Sequence, residues 1–342
     1  MTSRRIGAGI VGMGNIGTMH ARALRDLDDR VALVAYSGAH RATEETLAGW
    51  PAAFVTPEEV IGSAEVDVVA ICSPSGSHAA LALAALEAGR HVVVEKPLAV
   101  RVEDAVRIAE VARERGLTVS MISQRRFEPE HARLKEAVDA GALGDIRLAT
   151  THVHWFRDDD YYRAARWRTS MAEGGGSLMN QGVHNVDLLR WLCGPVESVT
   201  AQYGTLAHAM DAEDTTVATL RFASGALGVI TTTTATPPGS PATIALHGSR
   251  GSVELGQGEV LRWDVPEVSA PGSGRAPASG AADPLAIGHV GHLTQWREIL
   301  SAVEGKSPAP VDAADAVETV RLLCAIYEAA ATGRAVRPAE LG

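Results

Sequence analysis

Aromatic residues, cysteines and long apolar runs are all scarce in this chain, and each scarcity removes a class of protein. Phe, Trp and Tyr make up 4% of the 342 residues, so any clustering among them carries information. Cys72, Cys193 and Cys324 are few and scattered. They lack both the spacing of a metal site and the even number of a disulfide framework, so a reducing compartment and no bound metal are expected. No apolar stretch is long or uninterrupted enough to span a bilayer, and the first residues run into a strand pattern rather than a signal-peptide core. A soluble, cytoplasmic protein without a membrane partner is the expectation. Basic residues are outnumbered, 31 against 41 acidic, for a net charge of -10, which argues against a nucleic-acid partner. Apolar residues, by contrast, reach 46%. A chain of this length can bury two cores, and no internal repeat is evident.

The first core announces itself early. Arg5 to Val11 reads as an apolar strand running into Gly12-Met13-Gly14-Asn15-Ile16-Gly17, with a helical stretch from Thr18 to Leu27 behind it. This is G-x-G-x-x-G between a strand and a helix. Gly12 permits the tight turn, Gly14 admits a pyrophosphate to the backbone at Asn15 and Ile16, and Gly17 lets the helix pack closely. Strands at Val31 to Tyr36, Val66 to Ser73, His91 to Glu95 and Leu117 to Ile122 then alternate with helices at Arg41 to Ala48, Ser77 to Ala88 and Val102 to Arg115. Such alternation predicts right-handed crossovers and a doubly wound parallel sheet, a Rossmann domain over residues 1–123. Ser73-Pro74 closes one strand and His78 opens the next helix, both beside the expected cofactor. Glu95-Lys96-Pro97 closes another, putting an amine in the crevice beyond the strand ends.

Cofactor choice turns on the end of the second strand, where an acidic residue would accept the ribose hydroxyls of NAD. Here the segment reads Ala35-Tyr36-Ser37-Gly38-Ala39-His40-Arg41. Ser37 can hydrogen-bond a 2'-phosphate and Arg41 can pair with it, so NADP is favoured over NAD.

From 124 to 342 the pattern changes. Segments at Val196 to Gln202, Thr215 to Phe222, Leu227 to Thr234, Thr243 to His247, Ser252 to Leu255 and Val260 to Trp263 are short, rich in Val, Ile and Thr, and separated by turns. They predict an α+β domain with a largely antiparallel open sheet, one face of which invites a second subunit. Trp155, Tyr161, Tyr162, Trp167 and Arg168 crowd one span before Gly174-Gly175-Gly176, a mixture of rings and polar groups suited to a carbohydrate. Arg125 and Arg126 follow the last Rossmann strand, placed to reach a sugar, the cofactor or carboxylates. Residues 269–284 are a low-complexity stretch dominated by Ala, Gly, Ser and Pro, read as a mobile connection. His289-Val290-Gly291-His292 opens a helix running to Val303, and Ala313 to Thr332 forms the last helix, which is free to pack back on the first domain.

The glycine fingerprint, the Glu95-Lys96-Pro97 strand end and the run Gly174 to Asp187, containing Asn180 and His184-Asn185-Val186-Asp187, resemble the glucose-fructose oxidoreductase, inositol dehydrogenase and MocA family. The resemblance implies a nicotinamide-dependent oxidoreductase acting on a sugar or cyclitol alcohol, with Lys96 and His184 flanking the reacting carbinol. It implies substrate contacts from the aromatic span and the motif helix, a pocket histidine for which His292 is the better candidate, and a homodimer or homotetramer formed through the second sheet. The Ser37 turn resembles the NADP-binding turn of glucose-fructose oxidoreductase. Many members carry aspartate where this chain has Asn180, one helical turn before His184; asparagine cannot carry a proton. General-base work therefore rests on Lys96, His184 or both, and burial beside an oxidised nicotinamide favours a neutral Lys96. Two other readings stay open: a non-catalytic NAD(P) sensor, and a glycosidase-like enzyme that recycles a tightly bound nicotinamide.

Overall fold

The structure, a computed structural model, describes residues 4–47, 49–272 and 290–342. These fall into two compact units, Met1–Gln124 with His289–Val317 and Arg125–Gly288 with Glu318–Gly342. Residues 273–284 of the low-complexity stretch, and His289, lie outside the described residues.

In the first unit the chain runs β1 (Ile6–Val11), α1 (Asn15–Arg25), β2 (Val31–Ser37), α2 (Glu44–Leu47), β3 (Ala53–Phe54), α3 (Pro57–Gly62), β4 (Val68–Ile71), α4 (His78–Glu87), β5 (His91–Val94), α5 (Val102–Arg115) and β6 (Val119–Met121). The six strands pair in parallel in the order β3-β2-β1-β4-β5-β6. Strand order reverses at the β1–β4 pair, which is where a doubly wound sheet opens a crevice beyond its carboxyl ends. The central strands are apolar because both faces are covered: Ile10, Val68, Val69, Ile71, Val92 and Val94 are fully buried. Helix α5 shows why the boundaries fall where they do. Glu103 and Asp104 stand in its first turn, Arg113 and Arg115 in its last, and Gly116 ends it in the left-handed conformation at φ 63°.

The second unit holds α6 (Pro129–Asp139), β7 (Ile146–His154), α7 (Asp159–Arg163), α8 (Val183–Cys193), β8 (Val196–Gly204), β9 (Thr215–Phe222), β10 (Leu227–Thr233), β11 (Thr243–Gly248), β12 (Ser252–Leu255) and β13 (Val260–Asp264). Its seven strands lie in the order β13-β12-β11-β7-β10-β9-β8. Every pairing is antiparallel except β10 with β7. Strand β9 shows the alternation that leaves one face covered and the other open: Thr216, Ala218, Leu220 and Phe222 are buried, while Val217, Thr219 and Arg221 are exposed. Leu178, Val186, Leu189 and Leu192 join the core on the covered side.

After the undescribed stretch, α9 (Val290–Val303) belongs to the first unit, and α10 (Ala313–Thr332) begins in it and continues in the second. The sequence boundary at 123 thus does not carry residues 290–317 into the second unit. The reason is apolar burial. Trp296, Ile299 and Leu300 of α9 are fully buried in one cluster with Ala21 and Leu24 of α1 and Ile10 of β1. Trp296→Ala should cost about 3–5 kcal/mol of stability, the usual range for emptying a buried aromatic site. Denaturant unfolding monitored at the nucleotide-binding unit measures it, and a loss under ~1 kcal/mol would mean α9 does not share that core.

Candidate active site

The glycine fingerprint does three separate jobs. Gly12 has φ 100°, and a Cβ there would meet the Cys72 carbonyl and the Ser73 nitrogen at 2.7 Å, so only glycine lets β1 end against the end of β4. At Gly17 a Cβ would lie 2.3 Å from the Gly12 carbonyl oxygen, whereas around Gly14 there is open space. Gly14 is also the N-cap of α1 and no side chain caps that helix. Exposed amides at an uncapped helix start, beside a residue with no Cβ, form an anion cradle. Asn15 and Ile16 begin this helix. The site therefore fits the pyrophosphate of a dinucleotide.

Beside the cradle is a cavity of about 860 Å³, lined by Gly12, Ser37, Phe54, Thr56, Ser73 and Leu81 among others. Ser37 is buried at the end of β2, and its carbonyl accepts the amides of Gly12 and Met13 at 3.1 and 2.7 Å. The Arg41 guanidinium sits over the Phe54 ring, 5.1 Å from its centroid, which brings a cation to the cavity rim. Glu58 also lines the cavity. Glu59 does too, but its carboxylate accepts the Thr56 amide at 2.9 Å in a capping box at the start of α3. Thr56-Pro57-Glu58-Glu59 was a legible signal for this helix, absent from the sequence reading.

Ser73 and Pro74 follow β4, and the Ser73 hydroxyl is 2.7 Å from that of Ser77. His78 is buried, with one ring nitrogen 2.7 Å from the Pro97 carbonyl oxygen and the other 3.0 Å from that of Ser73. It ties the ends of β4 and β5 together, and burial lowers its pKa despite these acceptors. Lys96, half-buried, leaves the end of β5; Glu95 before it is buried. His292 does not line a surface within its unit: it is 1% exposed and its Nε2 is 3.5 Å from Glu95 Oε1.

In the second unit, residues Ser177–Gly182 form a π-helical turn running into α8. Asn180 and His184 straddle that junction, so their four-residue spacing is not a regular α turn; wide turns of this type are common at functional sites. Glu213 starts the turn. Its buried carboxylate accepts the Ser177 and Leu178 amides at 3.1 and 2.9 Å, the Ser177 hydroxyl, and the Tyr327 hydroxyl at 2.8 Å. Burial raises its pKa, with these four donors opposing. Gly176 has φ 95°, and a Cβ there would come within 2.5 Å of Glu213 Oε1; at Gly175 a Cβ would meet the Arg168 carbonyl oxygen at 2.3 Å. Gly176 is thus required by the carboxylate cap and Gly175 by close backbone packing. Glu213 went unnoticed in the sequence because nothing local marks a residue that caps a turn 35 positions away.

Asp187 ends the motif and is an anchor. Arg126 grips it through two bonds, Nε to Oδ2 at 2.7 Å and Nη2 to Oδ1 at 2.5 Å, and Thr319 adds a third at 2.8 Å. Burial alone would raise its pKa, but Arg126 outweighs that and holds it below the usual value. Arg125 is buried likewise, donating to Asn185 Oδ1 at 2.9 Å.

The aromatic span divides. Trp155 is 3% exposed, with the guanidiniums of Arg125 and Arg157 over its ring. Tyr162 is buried, its hydroxyl 2.7 Å from that of Thr234. Trp167 and Arg168 are half-buried. Arg168 stacks on Tyr161 at 4.0 Å, and the Tyr161 hydroxyl accepts from Asn180 at 3.3 Å and Gln181 at 2.7 Å. That ring is the hub which joins the span to the motif turn.

Two family profiles cover most of the chain: the oxidoreductase family, NAD-binding Rossmann fold, over residues 6–123, and the GFO/IDH/MocA C-terminal domain over 131–254. The chain belongs to the GFO/IDH/MocA oxidoreductase family. Myo-inositol 2-dehydrogenase of Thermotoga maritima is 32% identical over 72% of this chain and 73% of its own. The NADP(+) scyllo-inositol 2-dehydrogenase of Bacillus subtilis is 26% identical over 97% and 95%. Among solved structures, the WlbA dehydrogenase of Bordetella pertussis, in complex with NADH and UDP-GlcNAcA, is 33% identical and superposes with a TM-score of 0.87 over 98% of this chain and 99% of that one. As a member, this chain is a nicotinamide-dependent oxidoreductase. Among the described residues, no helix is long and apolar enough to cross a membrane.

The clamp on Asp187 makes a stability prediction with a sign. A carboxylate whose folded pKa is lowered contributes stability above its unfolded value, here 3.8, and loses it as pH falls through the folded one. Asp187→Asn leaves Arg126 buried without its anion and should cost about 3–5 kcal/mol at neutral pH. Its unfolding free energy should also fall less steeply than that of the wild type on acidification below about pH 4. Parallel acid slopes would show that Asp187 is not the titrating anchor.

Proposed function

We propose that this protein transfers hydride between a ring secondary alcohol of a sugar, cyclitol or sugar derivative and NADP or NAD, with Lys96 as the proton acceptor. The observation that carries this reading is Lys96 leaving the end of β5, one strand beyond the reversal in strand order, in the same unit as the uncapped glycine cradle. The relatives' names support the substrate class, since two inositols and a nucleotide sugar share a ring carbinol.

A bound nicotinamide dinucleotide supplies the hydride acceptor or donor. Gly12, Gly14, Asn15 and Ile16 would hold its pyrophosphate and Ser37 and Arg41 its adenosine end, with Ser73 and Pro74 bordering it and Glu95 buried behind them. Lys96 takes the hydroxyl proton as the carbinol is oxidised and returns it in reduction, the role of a positioned general base. His184 and Asn180, with Tyr161 and Arg168 beside the turn that carries them, are the second unit's candidate groups for substrate hydroxyls, and Trp167 is a further one. Asn180 donates a hydrogen bond and takes no proton, so acid-base work stays with Lys96 and His184.

We also favour NADP, because no carboxylate ends β2 and Arg41 stands at the cavity rim. The exposed large side chains Leu148, Val217 and Leu227 lie on the open face of the second sheet. They support a homo-oligomer through that sheet, and three scattered cysteines suit the cytoplasm.

The decisive experiment is a nicotinamide absorbance screen of free sugars, inositols, glycosides and nucleotide sugars with both cofactors. On any substrate so found, Lys96→Met should cut hydride transfer by about 10²–10⁴-fold and leave cofactor affinity within roughly threefold; full turnover would end the assignment. Arg41→Ala should weaken NADP by about tenfold, the worth of one charge-assisted hydrogen bond, and Ser37→Asp should turn preference to NAD. An unchanged ratio of catalytic efficiencies in both variants would mean the adenosine end lies elsewhere.

A further inference from the structure

The first unit contains a buried polar cluster away from solvent: His20 on α1, Glu95 at the end of β5, and His292 and Trp296 on α9. His20 and His292 are 1% exposed at the side chain, Glu95 7%, and Trp296 is fully buried. Their donor atoms include a His-Glu-His set within 4.8 Å of one another, the composition of a metal site. Proton bookkeeping argues against that use. Trp296 Nε1 lies 2.8 Å from His20 Nδ1, and an indole nitrogen can only donate. His20 Nδ1 is therefore bare, and a neutral ring must carry its proton on Nε2, which lies 3.0 Å from Glu95 Oε1. A cation ligated by that Nε2 would need an imidazolate. The ring instead donates to the carboxylate.

The other carboxylate oxygen is committed as well. Glu95 Oε2 accepts the backbone amide of Lys96 at 3.2 Å. The bonds therefore run in one direction, from the Trp296 indole to His20, from His20 to Glu95, with the Lys96 amide closing on the same carboxylate.

We propose that Trp296, His20 and Glu95 are positioning residues for Lys96: the indole fixes the imidazole tautomer, the imidazole orients the carboxylate, and the carboxylate fixes the backbone at the lysine and sets the field at its amine. The proposal rests on Lys96 being the base. The electrostatics point the same way. Burial lowers the His20 pKa, the direction that favours the neutral ring the indole donor requires. Burial alone would raise that of Glu95, but the hydrogen bond from His20 and the nearby His292 hold it well below the carboxylate range. The other groups facing the carboxylate are Cys72 at the end of β4, whose thiol is pushed up by burial and by Glu95, and His78 on α4, which feels both Glu95 and Lys96. His292 packs edge-on against His20, with ring centroids 5.2 Å apart. Its Nε2 lies 3.5 Å from Glu95 Oε1, which makes it a second and looser neighbour of the same carboxylate, outside the run of bonds from Trp296 to Glu95.

Two measurements test this without a substrate. Nitrogen NMR of the wild-type imidazoles, with His20 assigned by difference from His20→Gln, should show His20 as the neutral Nε2–H tautomer at neutral pH. In Trp296→Phe the single tautomer should be lost. A wild-type His20 found as the Nδ1–H tautomer or as imidazolium overturns the proposal. The second is the pH dependence of Lys96 modification by trinitrobenzenesulfonate, read by peptide mass spectrometry. Removing a neighbouring anion makes an amine easier to deprotonate, so Glu95→Gln should move the Lys96 profile to lower pH. His20→Gln, which keeps a donor, should leave the profile closer to wild type than His20→Leu does. A Glu95→Gln profile superimposed on wild type, in protein that binds NADP normally, sinks the positioning role while leaving Lys96 as base. Full hydride transfer by Lys96→Met sinks the base and leaves the NMR result standing.

Discussion

A carboxylate withdrawn from water costs several kcal/mol unless donors replace its hydration, and three of the places where this fold meets that demand bear on the candidate site. Glu95 is held at the end of β5, Asp187 on α8, and Glu213 at the start of the π turn. Each is adjacent in sequence or in space to a segment assigned to chemistry. A buried anion with every oxygen committed has few arrangements open to it, so the backbone it accepts from has few as well. The surrounding core can be repacked with other apolar side chains of similar volume. These three points cannot be changed one partner at a time.

The Rossmann half was legible because local rules and tertiary demands agree there. Val102–Arg115 carries acids at its start, bases at its end and a glycine beyond, and forms a helix over those residues. Ala313–Thr332 likewise forms the helix read from its pattern. The short elements were not legible. Arg41 to Ala48 reads as a helix, yet among the described residues of that span only Glu44–Leu47 is helical, and none of those four is buried to anchor it. Strand β3 is two residues long, too short for any periodicity. Strand β7 is nine residues long but was passed over, as was α6; β7 lies in the middle of the second sheet and supplies its one parallel pairing, which consecutive strand order does not reveal.

Within the candidate site, glycine carried most of the readable information. A glycine fingerprint reports a steric requirement, and the contacts at Gly12, Gly17 and Gly176 show that requirement directly. Charged residues were less readable, since sequence does not say what they face. Arg125 and Arg126 stood beside the last Rossmann strand as possible ligand contacts, and they are buried against Asn185 and Asp187. Aromatic clustering had the same ambiguity: Trp155 and Tyr162 are buried, while Tyr161 meets the motif turn.

The replacement of an aspartate by Asn180 takes on a physical meaning once Tyr161 is included. The tyrosine hydroxyl receives hydrogen bonds from both Asn180 and Gln181, so its lone pairs are engaged and its own hydrogen is left to donate elsewhere. A carboxylate at position 180 could not donate to it and would accept that hydrogen instead, reversing the bond. Arg168, 4.0 Å over the same ring, would then face a new anion. The amide thus adds no charge to a turn whose tyrosine already lies under the guanidiniums of Arg157 and Arg168. With no titrating side chain at position 180, the proposed proton chemistry of the second unit's motif narrows to His184, whose helix is anchored by Asp187 and Glu213. On that proposal, Glu95 plays the corresponding part for Lys96, and each candidate group is fixed within its own unit by a buried anion.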